Sequence, residues 1–290
     1  MSQNTTRHYT SEQYLLPADT VETARLNHQH AWITQAFENR LHIAPVSLNT
    51  GDKVLESAAG SGIWALEFEA ENAANGCIID VECVDITNKQ FPHQHPPNVH
   101  FSVNSATDLP LDWVSSFSYA HQRLLIVAMN DSLWKKVVKE LYRVLQPGGW
   151  IELLEVEAQE LHFDVGPQSK KLVSLIKAMY GAKGIIGNLG TYLPSILTQA
   201  GFTQIGFEIR DVPIGQSLAD GNERKIFIRS KYWQNLWKAM KEPVLKGGGY
   251  GIVKTGEEYD ELLQGCGGEW DNSDKAHTTY YAIFAQKPFY

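Results

Sequence analysis

The sequence predicts an α/β protein: a doubly wound, mostly parallel seven-stranded sheet with an N-terminal helical cap and helical lid insertions in the second half. Three observations lead there. Short apolar runs alternate with amphipathic helical stretches, the pattern that covers a parallel sheet on both faces. The first strand runs straight into a turn of small residues, Ala58-Ala59-Gly60-Ser61-Gly62, and then into a helix. Hydrophobic residues make up 43% and charged residues 20% of 290 positions, enough apolar surface for one large core.

The elements follow in order. Residues to about 49 read as a flexible tail and then a helix that Asp19-Thr20 can cap, with Val21, Ala24, Leu26, Ile33 and Phe37 on its apolar face. Lys53 to Ser57 is the first strand, and Ile63 to Ala74 the helix after the turn. Ile78 to Val84 is the second strand, closed by Asp85, and Val99 to Val103 the third. Phe117 to Ala120 is a short fourth strand. Asp131 to Leu145 is a helix capped by Asp131 or Ser132, with Leu133, Val137, Leu141, Val144 and Leu145 at helical spacing. Gln146-Pro147-Gly148-Gly149 stops it, and Trp150 to Val156 is the fifth strand.

The second half is less regular. Leu172, Leu175, Ile176 and Met179 mark one helix, and Tyr192 to Ala200 another that Gly201 ends. Phe202 to Val212 reads as a strand. Arg224 to Lys246 is a helical stretch rich in Trp and Tyr, broken by Pro243 and by Gly247 to Gly249. Glu257 to Gln264 is helical and Thr278 to Lys287 the last strand. One domain therefore spans 1–290, with a cap over 1–50, a cofactor-binding half over 51–165, and a substrate-side half with its lid over 166–290.

Composition narrows the function classes. Acidic residues outnumber basic ones 33 to 25, for a net charge of −8, and no dense basic run occurs, which argues against a nucleic-acid partner. The cysteines Cys77, Cys83 and Cys266 make neither a disulfide framework nor a metal motif. No signal core opens the chain, and no apolar run reaches the roughly 18 residues of a membrane span. The expected setting is reducing, cytoplasmic or nuclear, with a small molecule as partner.

A strand, a turn of small residues and a helix place unpaired N–H groups and a positive helix end beside a ligand. Two cofactor types compete for the turn. Gly60-Ser61-Gly62-Ile63-Trp64-Ala65 matches G-x-G-x-x-A of dinucleotide folds, with Asp85 lying 20 residues beyond Ala65. In that register, however, Ser57-Ala58-Ala59 separates the first glycine from the strand, and in the register starting at Ala58 the third small position is Ile63. The other pattern, acidic-x-G-x-G-x-G, fits as Glu56-x-Ala58-x-Gly60-x-Gly62 with one deviation. Its acidic residue suits a cofactor carrying a cationic amino group better than one carrying a diphosphate.

At this point a family resemblance enters. Val54 to Ala65 resembles the first motif of class I S-adenosylmethionine-dependent methyltransferases, which are Rossmann-like, and Leu145-Gln146-Pro147-Gly148-Gly149-Trp150 resembles their LxPGG turn about 85 residues on. Tyr14 to Asp19, Arg25-Leu26-Asn27, Gln29-His30 and His121-x-Arg123 are similar to the fungal LaeA-like and secondary-metabolism methyltransferases. The resemblance covers roughly residues 10 to 210 and the final strand. It implies S-adenosylmethionine as cofactor, S-adenosylhomocysteine as product, and methyl transfer to a small-molecule acceptor. It also allows a cofactor-binding regulator of LaeA type, or a lyase or pericyclic catalyst that only holds the cofactor.

Residue by residue, the resemblance implies that Glu56 orients the methionine portion of the cofactor, which lies along the turn of Ala58, Gly60 and Gly62. Asp85 stands where a carboxylate accepts both ribose hydroxyls, with Ile86 beside the adenine. Asn104-Ser105-Ala106 stands where the family has x-D-A, whose Asp takes the adenine amino group. Two positions depart from the pattern: Ala58 replaces a glycine, tolerable if its φ is negative, and Ser105 replaces the Asp.

Transfer from a sulfonium has a neutral leaving group, so alignment dominates, with a base needed only if the acceptor must lose a proton. His121, just past the expected fourth strand, is the candidate base or substrate anchor; the alternative is a residue that positions the loop or the cofactor. His277 is a second candidate. His93-Gln94-His95 reads as an exposed loop, and no metal site is expected. Of Glu155 and Glu157, one can reach a pocket, or both lie at a solvated strand end. Tyr232, Trp233, Trp237, Tyr250, Tyr259 and Trp270 read as packing residues, or as an aromatic lid suited to an apolar substrate.

Overall fold

A computed structural model describes residues 15–215 and 229–290. The expected tail over 1–14, Tyr14 of the N-terminal motif, and the opening of the expected Arg224 helix lie outside these residues. In chain order the elements are α1 (Thr20–Ala36), β1 (Lys53–Ser57), α2 (Ile63–Ala74), β2 (Asp80–Asp85), β3 (Val99–Val103), β4 (Phe117–Arg123), α3 (Asp131–Val144) and β5 (Leu145–Val156). Then come α4 (Pro167–Lys183), α5 (Leu189–Ala200), β6 (Thr203–Pro213), α6 (Arg229–Ala239), α7 (Lys241–Lys246), α8 (Gly256–Asp271) and β7 (His277–Gln286). The seven strands form one sheet in the order β3-β2-β1-β4-β5-β7-β6, parallel except for β7, which runs antiparallel to both neighbours. This is the doubly wound sheet the sequence predicts, with α4 and α5 inserted after β5, and α6, α7 and α8 after β6.

Side-chain alternation divides the strands between two cores. Val54 and Tyr119 point to a face covered by Trp64, Ala65 and Phe68 of α2. Their neighbours Leu55 and Ala120 point to the other face, packed by Trp134, Val137 and Leu141 of α3 and by α4, α5 and the lid helices. Each of these side chains is 2% exposed or less; burying one stabilises the fold by roughly 1.5–3 kcal/mol.

Helix ends follow from local chemistry. Asp19 caps α1, its carboxylate accepting the Glu22 N–H at 2.9 Å, as the sequence suggests. The cap of α3 is Asn130, which accepts from Leu133 N–H at 3.0 Å, and not Asp131 or Ser132. Gly201 ends α5 in the left-handed region at φ +100°. Two strands run further than expected. Pro147-Gly148-Gly149 forms a bulge inside β5, so that Phe117 pairs with Leu145 but Tyr119 with Trp150. Strand β4 continues to Arg123, which puts His121 inside the sheet rather than past it.

Candidate active site

The turn between β1 and α2 is held in three left-handed steps, at Ala58 (φ +56°), Gly60 (+56°) and Gly62 (+73°). The condition set for Ala58, a negative φ, is not met; an L-residue there costs about 1–2 kcal/mol. Around the turn, Asp85 Oδ2 accepts the Gly60 N–H at 2.9 Å, and Oδ1 accepts that of Thr87 at 3.2 Å. Burial pushes the Asp85 carboxyl above the usual carboxylate range, and these N–H donors pull it back. Ser61 Oγ donates to Asn27 Oδ1 at 2.7 Å, tying the turn to α1.

The turn opens onto a cavity of about 350 Å³. Ala58, Gly60, Asp85, Ile86, Asn104, Ser105 and Ala106 line it, so seven of the nine expected cofactor residues come together. Ser105 Oγ shares a hydrogen bond with Thr107 Oγ1 at 2.8 Å and accepts the Thr107 N–H at 3.2 Å, holding its own loop. Gly62 is not on the wall: a Cβ there would stand 2.5 Å from the Phe101 ring, so its role is close packing behind the turn.

Glu56 and His121 are not on the wall either. The register sets Glu56 opposite His121 and His121 opposite Glu152, a row across β1, β4 and β5 on the face beneath α2. His121 is 1% exposed, stacks on Trp64 with centroids 3.9 Å apart and planes at 11°, and meets Glu56 Oε2 through Nδ1 at 2.5 Å. Burial lowers the His121 pKa to about 3 and raises that of Glu56 well above the carboxylate range, disfavouring the charged form of each. Glu152 Oε2 accepts from the N–H groups of Ile43 and Ala44 at 2.8 and 2.7 Å, and from the Tyr119 hydroxyl at 3.1 Å. An imidazole enclosed in this way reaches no acceptor in the cavity, which corrects the expectation of a base at His121.

Other polar residues take that place. Arg25, Gln29 and His30 of α1 and Arg123 at the end of β4 line the cavity. Arg123 Nη1 donates to His30 Nδ1 at 2.9 Å, which leaves Nε2–H of His30 to donate to Glu67 at 2.7 Å. Burial, then the Arg123 charge, lowers the His30 pKa, in keeping with a neutral ring. Arg25 pairs with Glu22 at 2.6 Å and donates to the Tyr232 hydroxyl at 2.7 Å. The signal for this set was the Arg25…Gln29-His30 spacing, one face of a helix, together with His121-x-Arg123.

Glu157 lines the cavity, while Glu155 lies beneath it, fully buried, with its oxygens accepting the N–H groups of Leu125 and Ile126 at 2.7 and 3.2 Å. His277 does not line the cavity; its Nδ1 meets the Lys275 carbonyl. Leu161, Phe163, Trp233, Leu236, Trp237 and Met240 supply an apolar wall. Of the aromatic set, Trp233 and Trp237 reach the cavity, whereas Tyr259 and Trp270 pack in the core and bond the carbonyls of Trp237 and Phe163. Among the described residues no His, Cys, Asp and Glu cluster suits a metal, and no helix is long and apolar enough to cross a membrane.

Residues 54–149, from β1 to the bulge of β5, match the family model of the methyltransferase domain. The chain is 29% identical over 222 residues to the N-methyltransferase sirN of Leptosphaeria maculans, covering 74% of this chain and 75% of that one. It is 26% identical to the methyltransferase grgD of a Penicillium species, across 96% of this chain and 97% of that one. These matches support a class I S-adenosylmethionine-dependent methyltransferase. The fold of this methyltransferase is similar to that of the YcgJ protein of Bacillus subtilis, with a TM-score of 0.50 at 15% identity, over 90% of this chain and 99% of that one.

Proposed function

We propose that this methyltransferase transfers a methyl group to a small, largely apolar acceptor held against the aromatic wall of α6. The observation that carries the reading is that Gly60 and Asp85 of the turn bound the same cavity as Trp233, Trp237 and Met240 of the lid. The residues present fit the cofactor. A Cβ on Gly60 would press on Leu26 at 3.1 Å, so the bare backbone is what leaves room at the turn. Gln90, 9% exposed and among the residues that line the cavity, has an amide nitrogen with no partner among the described residues.

Asp85 would accept the ribose hydroxyls, Ile86 would pack beside the adenine, and Asn104, Ser105 and Ala106 would border it. Among the described residues Arg123 makes one hydrogen bond, to His30, and no ion pair, so its guanidinium is the natural partner for the cofactor's carboxylate. When bound, S-adenosylmethionine supplies an electrophilic methyl group on a sulfonium. The chain's own contribution is to align the acceptor and exclude water with the apolar wall. An acceptor that must lose a proton would meet the Glu157 carboxylate, since both His30 nitrogens are engaged.

The relatives carry methyltransferase names, which favours transfer over a regulator or a lyase, and the N-methyltransferase sirN makes nitrogen acceptors the first class to try. Cys77, Cys83 and Cys266 are unpaired, which suits a reducing, cytoplasmic setting. Calorimetry with S-adenosylhomocysteine tests the cofactor half, with Arg123→Met expected to weaken binding at least tenfold. Transfer of a tritiated methyl to apolar amines and phenols tests the acceptor half. Absence of binding, or binding with no labelled organic product across both classes, would overturn the reading.

A further inference from the structure

Arg25 and Arg123 both line the cavity, and their guanidinium groups are held in different ways. Arg25 is committed to its own helix and to the lid. It donates to Glu22 Oε1 through Nε and Nη2 at 2.9 and 2.6 Å, and through Nη1 to Gln29 Oε1 at 3.2 Å and the Tyr232 hydroxyl at 2.7 Å. Arg123 forms no ion pair among the described residues, and its Nη1 donates to His30 Nδ1 at 2.9 Å. The side chain is partly exposed, on the wall that also holds Gly60 and Asp85, and its remaining guanidinium nitrogens are not closed off inside the protein.

His30, on α1, is 2% exposed. A guanidinium cannot accept a hydrogen bond, so Nδ1 of the ring carries a lone pair and Nε2 the proton, which goes to Glu67 Oε2 of α2 at 2.7 Å. Glu67 does not line the cavity, and half of its side chain is exposed. The contacts thus run from α2, through α1, to the end of β4. A carboxylate in the place of His30 would hold Arg123 as firmly but would cancel its charge. A neutral imidazole orients the guanidinium and leaves the charge for an anion.

We infer that Glu67 and His30 are positioning residues for the cofactor: Glu67 fixes the Nε2–H tautomer of His30, whose Nδ1 lone pair holds the Arg123 guanidinium in place for the cofactor's carboxylate. This rests on the reading of Arg123 as that carboxylate's partner. A long side chain held beforehand loses less rotamer freedom on binding, an effect of about twofold to tenfold in affinity.

The test uses the full-length chain and two ligands that differ by one group, S-adenosylhomocysteine and its decarboxylated analogue, which keeps the adenosine, the thioether and the amine. Calorimetry is expected to give the wild type a preference of roughly tenfold or more for the first, and Arg123→Met a preference near onefold. Glu67→Leu and His30→Leu should cut the wild-type preference by about twofold to tenfold. Glu67→Gln, whose amide oxygen still accepts the Nε2–H, should keep it. A merely structural role would weaken both ligands alike and leave the ratio unchanged. Nitrogen-15 spectra of the wild type with labelled histidine, assigned through the backbone, should show His30 protonated at Nε2 and not at Nδ1.

If Glu67→Leu and His30→Leu keep the wild-type ratio while Arg123→Met loses it, the positioning role is overturned and the reading of Arg123 stands. If Arg123→Met keeps the ratio as well, that reading fails and takes the positioning role with it. Should a variant not fold, the wild-type spectrum still decides: a proton on His30 Nδ1 overturns the inference, because that nitrogen could not then accept from Arg123.

Discussion

Glu56 Oε2 lies 2.5 Å from His121 Nδ1, both side chains are at most 2% exposed, and neither borders the cavity. The motif's acidic residue and the histidine after it thus answer to each other, under the Trp64 ring, and brace β1 against β4. Removing the imidazole would leave a buried carboxyl without its partner and a void beneath Trp64. His121→Ala should therefore destabilise the fold by about 2–4 kcal/mol. Methyl transfer per folded molecule should drop by less than the 10²-fold that losing a general base costs. Urea unfolding and single-turnover transfer, measured on the same preparation, separate these effects; a 10³-fold loss at unchanged stability would restore His121 as the base.

Ala58 holds a φ of +56° without the freedom of a glycine, while Gly62 at +73° has its Cβ space filled by Phe101. Ala58→Gly should raise stability by about 0.5–1 kcal/mol, the left-handed strain less the added chain entropy. Gly62→Ala should lower it by well over 1 kcal/mol, because a ring must move as well. Paired thermal melts check both signs.

Asp85→Ala should weaken S-adenosylhomocysteine binding more than Ser105→Ala. A carboxylate on the cavity wall accepts charge-assisted bonds, whereas the Ser105 hydroxyl is already engaged with Thr107. Calorimetry should give a loss of about 1.5–3 kcal/mol for Asp85→Ala and a smaller one for Ser105→Ala. Equal losses in folded variants would remove Asp85 from the ribose role.

Burial raises the Glu155 pKa from 4.5 to about 8, against the pull of the Leu125 and Ile126 N–H groups. The folded state therefore keeps a proton that the unfolded chain has lost, and between pH 4.5 and 8 this group's contribution to stability falls as pH rises. Glu155→Gln has no such proton, so its stability relative to wild type should climb across that window and level off above it. Urea midpoints at pH 5, 6, 7 and 8 read the difference directly, with the other titrating groups cancelling between the two proteins. A flat difference would mean that the two N–H donors hold Glu155 ionised throughout.

Alternation, helical spacing and glycine placement are local chemistry, so the strands and helices, the turn of small residues, and Asp85 at the end of β2 are legible in the sequence. The pattern that the methyltransferase-domain model matches, from Val54 to Gly149, is local as well. Which polar side chains border the cavity depends on how the elements pack. His121 and Arg123 share one face of β4, but Trp64 roofs the first and leaves the second at the open end of the strand, roughly 6–7 Å further along. Glu155 and Glu157 divide in the same way between a buried contact and the cavity wall. Strand register and the position of α2 set these outcomes. Both arise from contacts between residues as far apart in sequence as Glu56 and His121, and no local pattern encodes them.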